Sequence, residues 1–322
     1  MVLATNHGVK PLLLALFCSY IVLFFDGQLF AQNPPANIEV FLADVTMVNS
    51  EFKLHRVQNI SNNPGYDSQP WFSSDGTTLL YASNRNGETD IVSLSVWSLN
   101  KIWLTNTPNR SEYSPQFTPD GQELSYITLS PDGIQDFRSI PLLGIQGQQK
   151  VETIIESEYI IGYYHWASTS PSSYLCFVLP TDQAPATLQW HEPVDSPRAD
   201  STDTPRTSKQ ILDAAPGRSF LPIPNTELLS FIDKQTDPWR IKSFNPLTGE
   251  ILSIAPTLSG SEDVAWLPNG YPIMGSGSVL RFFNGQDWLI LYDFTEAGIK
   301  NISRVAVNAK GEKIAIVGEL MD

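Results

Sequence analysis

Residues 69–83, QPWFSSDGTTLLYAS, and residues 114–128, SPQFTPDGQELSYIT, superimpose without a gap, and their pattern decides the fold. In both, an Asp-Gly pair divides two apolar runs. This is the mark of an antiparallel hairpin, where glycine supplies the positive φ that a tight reversal needs. Aligned on Phe72, the register continues through Phe117, Trp166, Leu221, Trp266 and Val307, at spacings of 45, 49, 55, 45 and 41 residues. Four of these units carry glycine four residues after the anchor, at Gly76, Gly121, Gly270 and Gly311. The spacing predicts two-residue turns there, each followed by a second strand with Leu79, Leu124, Ile273 or Ile314 at a matching offset.

The remainder of each unit reads as another hairpin. IVSLSV with IWLTN, FRSIPL with KVETII, RIKSFN with EILSIA, and VLRFFN with WLILYDF are the examples. Four strands in about 45 residues is the size of one propeller blade. The expected fold class is therefore all-β, a six-bladed β-propeller of four-stranded antiparallel blades. The sixth unit stops after KIAIVGEL at 313–320, two strands short. At the other end, IEVFLADV at 38–45 and KLHRVQNI at 53–60 have the outer-hairpin pattern. N-terminal strands completing the last blade would close the ring and hide edges that otherwise template aggregation.

Composition agrees with many short strands. The 322 residues include 24 Pro, 20 Gly, 8 Trp, 11 Tyr and 16 Phe, with only 17% charged. A net charge of -14 repels phosphate backbones, so no nucleic-acid partner is expected. Lys10, the mostly apolar run LLLALFCSYIVLFF at 12–25, Asp26-Gly27 and a small residue at Ala31 match a secretory signal over residues 1–31. The run is shorter than the roughly 20 residues of a spanning helix. Cleavage after Ala31 is expected to leave one propeller domain, residues 32–322, with no membrane span. Phe17 is too bulky before Cys18 for lipid processing. The cleaved chain keeps a charge of -14, and Cys176 in YLCFV becomes its lone cysteine, a buried strand thiol with no disulfide partner. His55, His165 and His191 lack ligand spacing, so neither a metal site nor a cofactor is expected.

The segments SQPWFSSDGTTLLYASNRNGETDIVSL and LTNTPNRSEYSPQFTPDGQELSYIT resemble the WD-like repeats of the TolB-type β-propeller family of bacterial envelopes. The likeness is strong over about 59–130, where S-P-x-F-S-P-D-G, S-x-R-x-G-x-x-D-I and L-T-x-x-P elements occur, and rests on register elsewhere. Trp166 and Leu221 head units without a D-G turn, the degenerate third and fourth blades. The resemblance implies a protein-binding scaffold in the periplasm or at the cell surface and supplies no catalytic residues. Six residues from the expected cleavage point to the first strand leave no room for the α/β domain that precedes the propeller in TolB itself. The serine hydrolase domain that follows some family propellers is likewise not expected.

The first strand of each blade should run beside the central channel, so a ligand site is expected just before the anchors. Three residues before them stand Gln69, Ser114, Tyr163, Arg218, Asp263 and Arg304, with Ser68, Tyr113, Glu262 and Ser303 adjacent and His165 directly before Trp166. Two arginines in an acidic protein could take a carboxylate bidentately. They could equally be neutralised by Glu262 and Asp263 in a hydrated channel. A second candidate surface is 182–209, rich in Pro, Ser, Thr and Asp, read as a long inter-strand loop on which Trp190 and His191 could make contact.

Three functions remain open: a structural part of a larger assembly, and the two that follow. One is an exported, non-catalytic scaffold that binds an envelope protein or peptide, or a small carboxylated or sugar ligand. The other is a carbohydrate-active lyase or hydrolase acting in the channel, for which Tyr163, His165, Arg218, Asp263 and Arg304 are the available groups. Glu262 and Asp263 make a poor carboxylate dyad, since neighbours on a strand point to opposite faces. GSGS at 275–278 does not have the spacing of a serine elbow. Asp75 and Asp90 read as turn and blade hydrogen-bonding groups, because the calcium-loop pattern is absent.

Overall fold

A computed structural model of the chain describes residues 38–48, 51–142, 151–156, 158–167, 172–193 and 206–321. The expected signal segment, its cleavage point and Cys18 lie outside the described residues. Twenty-four strands run β1 Ile38–Val48, β2 Glu51–Asn59, β3 Asp67–Phe72, β4 Thr78–Arg85, β5 Glu88–Ser95, β6 Lys101–Trp103, β7 Ser111–Phe117 and β8 Glu123–Leu129. They continue as β9 Gln135–Pro141, β10 Thr153–Glu156, β11 Ile161–Trp166, β12 Tyr174–Val178, β13 Thr187–Pro193, β14 Arg206–Leu212, β15 Pro216–Pro222 and β16 Leu229–Asp233. The last eight are β17 Arg240–Phe244, β18 Ile251–Pro256, β19 Val264–Trp266, β20 Pro272–Ser276, β21 Val279–Phe283, β22 Trp288–Asp293, β23 Ile299–Val307 and β24 Lys313–Leu320.

Among the described residues these form six four-stranded sheets, a six-bladed β-propeller. Blades one to five are β3–β6, β7–β10, β11–β14, β15–β18 and β19–β22, and the sixth has the order β2-β1-β24-β23. Ring closure is as the sequence predicts. β1 lies antiparallel to β24, with Val40 opposite Val317 and Asp44 opposite Lys313. Lys313 Nζ also donates to the Asp44 carboxylate, joining groups 269 residues apart.

The apolar core sits between blades, and two-residue periodicity puts it there, because successive strand residues face opposite neighbours. On β4, Leu79 and Tyr81 pack toward blade six while Leu80 and Ala82 pack toward blade two. On β1, Val40 and Leu42 face blade one, whereas Phe41 and Ala43 face blade five. Each of six clusters fills one interface between adjacent blades. Leu79, Ile273 and Ile314, at matching offsets, are fully buried.

The D-G turns differ from the expected two-residue form. Ser73 N donates to Thr78 O at 2.9 Å and Gly76 N to Ser73 O at 2.8 Å, so four residues lie inside the closing pair. The same pattern recurs at Thr118/Glu123 and Asn308/Lys313, while Leu267/Tyr271 encloses three. Glycine still has the predicted job, with φ of 72° at Gly76 and 69° at Gly311, at the end of a turn rather than at its tip. Asp75 is the turn group expected, accepting from Thr77 N at 3.0 Å.

The stretch 182–209 is also different from its reading. Much of it is β13 and β14, the outer half of blade three, and only 194–205 falls outside the described residues. Trp190 and His191 are on β13 and are 3% and 1% exposed, so neither lies on an exposed loop surface. Trp190 packs against Phe244 of blade four, and His191 stacks on Tyr174 at 4.9 Å. Cys176, on β12, is buried as expected.

Candidate functional site: a funnel around the central channel

The inner strands β3, β7, β11, β15, β19 and β23 surround one cavity of about 900 Å³, and all six residues predicted three positions before the anchors line it. Gln69, Ser114, Tyr163, Arg218, Asp263 and Arg304 line the end away from the hairpin turns, with His165 beside them. Toward the hairpin turns the wall becomes aromatic and aliphatic, including Trp71, Phe117, Trp166, Phe220, Leu221 and Trp266. The cavity is therefore a funnel with an apolar wall and a polar floor.

The polar floor is built by a local irregularity that the sequence pattern does not show. In blades one, two, three, four and six, pairing of the inner strand with its neighbour slips just before the anchor, at 68/71, 113/116, 161/163, 216/220 and 300/304. Gln69 and Ser114 stand at this slip with φ of 59° and 52°, the left-handed region that non-glycine residues seldom occupy. A bulge of this kind re-aims side chains. Here it directs Gln69 to the next blade, where Ser114 N donates to its Oε1 at 2.7 Å; in blade five, which has no such slip, Asp263 stands just before β19 and its Oδ1 accepts from Val305 N at 2.8 Å. Further along, Gln116 Nε2 donates to Tyr164 O at 2.6 Å, and Ser219 Oγ donates to Val264 O at 3.1 Å.

The charges of the floor are distributed unequally. Arg304 pairs with Asp263, Nη1 to Oδ2, at 3.4 Å, and its guanidinium carbon lies 5.4 Å from the Tyr163 ring centre. Burial works against the Arg304 charge, yet Tyr163, Asp263 and Tyr66 together outweigh it and hold the guanidinium above its ordinary value. Burial pushes the Asp263 carboxyl up, opposed by Arg304 and Arg218. Burial alone pushes the His165 imidazole down to about 4, so it is neutral at physiological pH. Neutralisation of Arg304 by Asp263 is thus realised. Glu262 instead pairs with Lys234 at 2.9 Å and does not line the funnel. Tyr113 also lies off the funnel, edge-on to Tyr66 at 5.9 Å.

Arg218 is the exception among the cations. Its Nη2 donates to Ser303 O at 3.3 Å, its buried Nε has no acceptor, and among the described residues it has no ion-pair partner. Among the described residues no three His, Cys, Asp or Glu side chains converge as a metal-binding group, and no helix is long and apolar enough to cross a membrane.

No protein-family model matches the chain, and no curated protein matches it. Solved structures do. A TolB described as putative from Agrobacterium tumefaciens superimposes at a TM-score of 0.62 with 13% identity, covering 88% of this chain and 98% of that one. TolB from Acinetobacter baumannii gives 0.53 and 10%, covering 88% of this chain and 65% of that one. A gluconolactonase from Xanthomonas campestris gives 0.56 and 11%, covering 89% and 97%. Identities this low speak to fold, which hosts unrelated functions. The chain has the fold of the TolB-like six-bladed β-propellers.

Proposed function

We propose that the protein is an exported, non-catalytic binding scaffold, and that its funnel takes a segment of another envelope protein. The observation that carries this reading is the funnel itself, about 900 Å³ with an aromatic wall and a polar floor. Such a shape suits a peptide that buries one or two apolar side chains while its backbone groups bond to the floor. The leader-like run at 12–25 supports export. The floor chemistry supports binding rather than turnover. Among the described residues, the carboxylate of the floor, Asp263, is committed to Arg304 and to Val305 N.

Capture from a bacterial envelope extract, followed by identification and reconstitution with the purified partner, tests the reading. Leu221 is half-buried on the funnel wall, and Leu252 is exposed on the outer strand β18. A partner retained by wild type and by Leu252→Arg, and lost by Leu221→Arg, is the expected result. Equal retention by all three places the contact outside the funnel and overturns the proposal.

A further inference from the structure

A second cavity, of about 360 Å³, lies at the opposite end of β23 from the funnel. Asn301, Ile302 and Ser303, in the slipped part of β23, form one wall, whereas the funnel begins at Arg304 and continues to Val307. The connection Ser259–Glu262 between β18 and β19, and Gly275–Gly277, where β20 ends and its turn to β21 begins, form the others. Arg218 reaches both cavities.

Three features of this crevice point to a ligand. First, Arg218, the channel cation without an ion-pair partner among the described residues, lies on it, with Nη2 on Ser303 O and no hydrogen bond from Nη1; a half-buried guanidinium with a free end favours an anion. Second, Ser259, Ser261, Ser276 and Ser303 line it, and among the described residues no hydrogen bond engages their hydroxyls. Third, its floor is fixed. A Cβ on Gly275 would come within 2.3 Å of Ile302 Cγ2, so β20 and β23 meet there at a separation only glycine permits. Glu262 lines the crevice as well, with its charge offset by Lys234 at 2.9 Å, and can accept from a ligand hydroxyl. A bare anion would leave the serines unused, and a neutral polyol would leave Arg218 unpaired.

We propose that this cavity binds a small hydroxylated carboxylate of the size of a hexuronate. The carboxylate sits on Arg218, and the hydroxyls bond to the serines and Glu262. The site is distinct from the funnel and stands or falls separately from the partner reading, since the Leu221→Arg variant does not touch it.

Calorimetric titration of the folded protein with D-glucuronate, D-glucose and acetate tests the proposal, with Arg218→Gln and Ser276→Glu as variants. Ser276 is exposed at the end of β20, so its substitution places a carboxylate at the cavity without disturbing the core. Glucuronate should bind, and glucose and acetate should each bind at least about tenfold more weakly. Each variant should weaken glucuronate by about tenfold or more while keeping the wild-type thermal transition. Absence of glucuronate binding, equal binding of acetate, or unchanged affinity in Ser276→Glu overturns the assignment. That last variant decides the matter even if Arg218→Gln fails to fold.

Discussion

Arg304 on β23 reaches across the channel to Tyr163 on β11, two inner strands of opposite blades, with Nη2 3.4 Å from the phenol oxygen. This contact, with the Asp263 ion pair, ties three blades together at the axis of the ring. Asp263 and Arg304 side chains are each 11% exposed, so removing one partner strands a nearly buried charge. Arg304→Met should therefore cost about 3–5 kcal/mol in urea unfolding. Adding Asp263→Asn should recover much of that loss, because the amide still accepts from Val305 N and carries no charge. Equal stability of the single and double variants would show that the pair is not coupled.

Ser125 on β8 supplies a sharper test of blade-to-blade bonding. Its hydroxyl accepts from Tyr164 OH at 2.8 Å and from Trp166 Nε1 at 2.9 Å, and donates to Gln116 O at 3.0 Å. Ser230, between blades four and five, accepts from Trp266 Nε1 alone, at 2.8 Å. An unsatisfied buried donor costs about 1–3 kcal/mol. Ser125→Ala should thus destabilise about twice as much as Ser230→Ala, measured as the difference in unfolding free energy.

Two buried groups should give opposite responses to acid. Burial pushes the Asp67 carboxyl up to about 6, opposed by hydrogen bonds from Ser83 and Asn63 and reinforced by Glu39. A raised carboxyl favours the protonated fold, so its contribution is full below the ordinary value of 3.8 and is lost as pH climbs through about 6. His165, pushed down to about 4, folds neutral, and its contribution is present above 6.5 and lost as pH falls toward 4. Between about pH 7 and pH 5, Asp67→Asn should lose stability relative to wild type, and His165→Gln should gain. Urea midpoints across that range check both signs.

Closure of the ring depends on β1. Phe41 is 3% exposed and packs among side chains of blades five and six. Phe41→Ala should cost about 3–5 kcal/mol. Ile290→Ala, on the exposed outer strand of blade five, should stay within about 0.5 kcal/mol of wild type. Hydrogen exchange should show the Phe41 loss in β24 as well as in β1, since the two strands share one ladder.

Repetition made most of this fold legible. The D-G turns and their flanking apolar runs set the blade register, and the half-blades at the two ends predicted their own pairing. Blade three resisted because its outer strands bury polar groups in mutually satisfied contacts. His191 Nδ1 lies 3.4 Å from Glu156 and Tyr174 OH, next to it, 3.2 Å from the same carboxylate, so a strand rich in polar residues reads as a loop. The ring of six was found by register alone. Its division was not, because the bulges at Gln69 and Ser114 require a left-handed backbone at residues that give no hint of it. The pairing of Glu262 with Lys234 was equally hidden, since Lys234 lies outside the repeat position that drew attention to Glu262.

The interleaving of the sixth blade governs how the molecule is made. β24 lies between β23 and β1, so the first and last of the twenty-four described strands must meet in one sheet. Until residue 320 emerges, β1 has no partner on one side and the first five blades end in an open interface. Contacts this distant in sequence form slowly, and unpaired edges are exposed meanwhile. The ring therefore cannot close before β24 has been made, and the free edge of β1 and the open face of blade five stay uncovered until then.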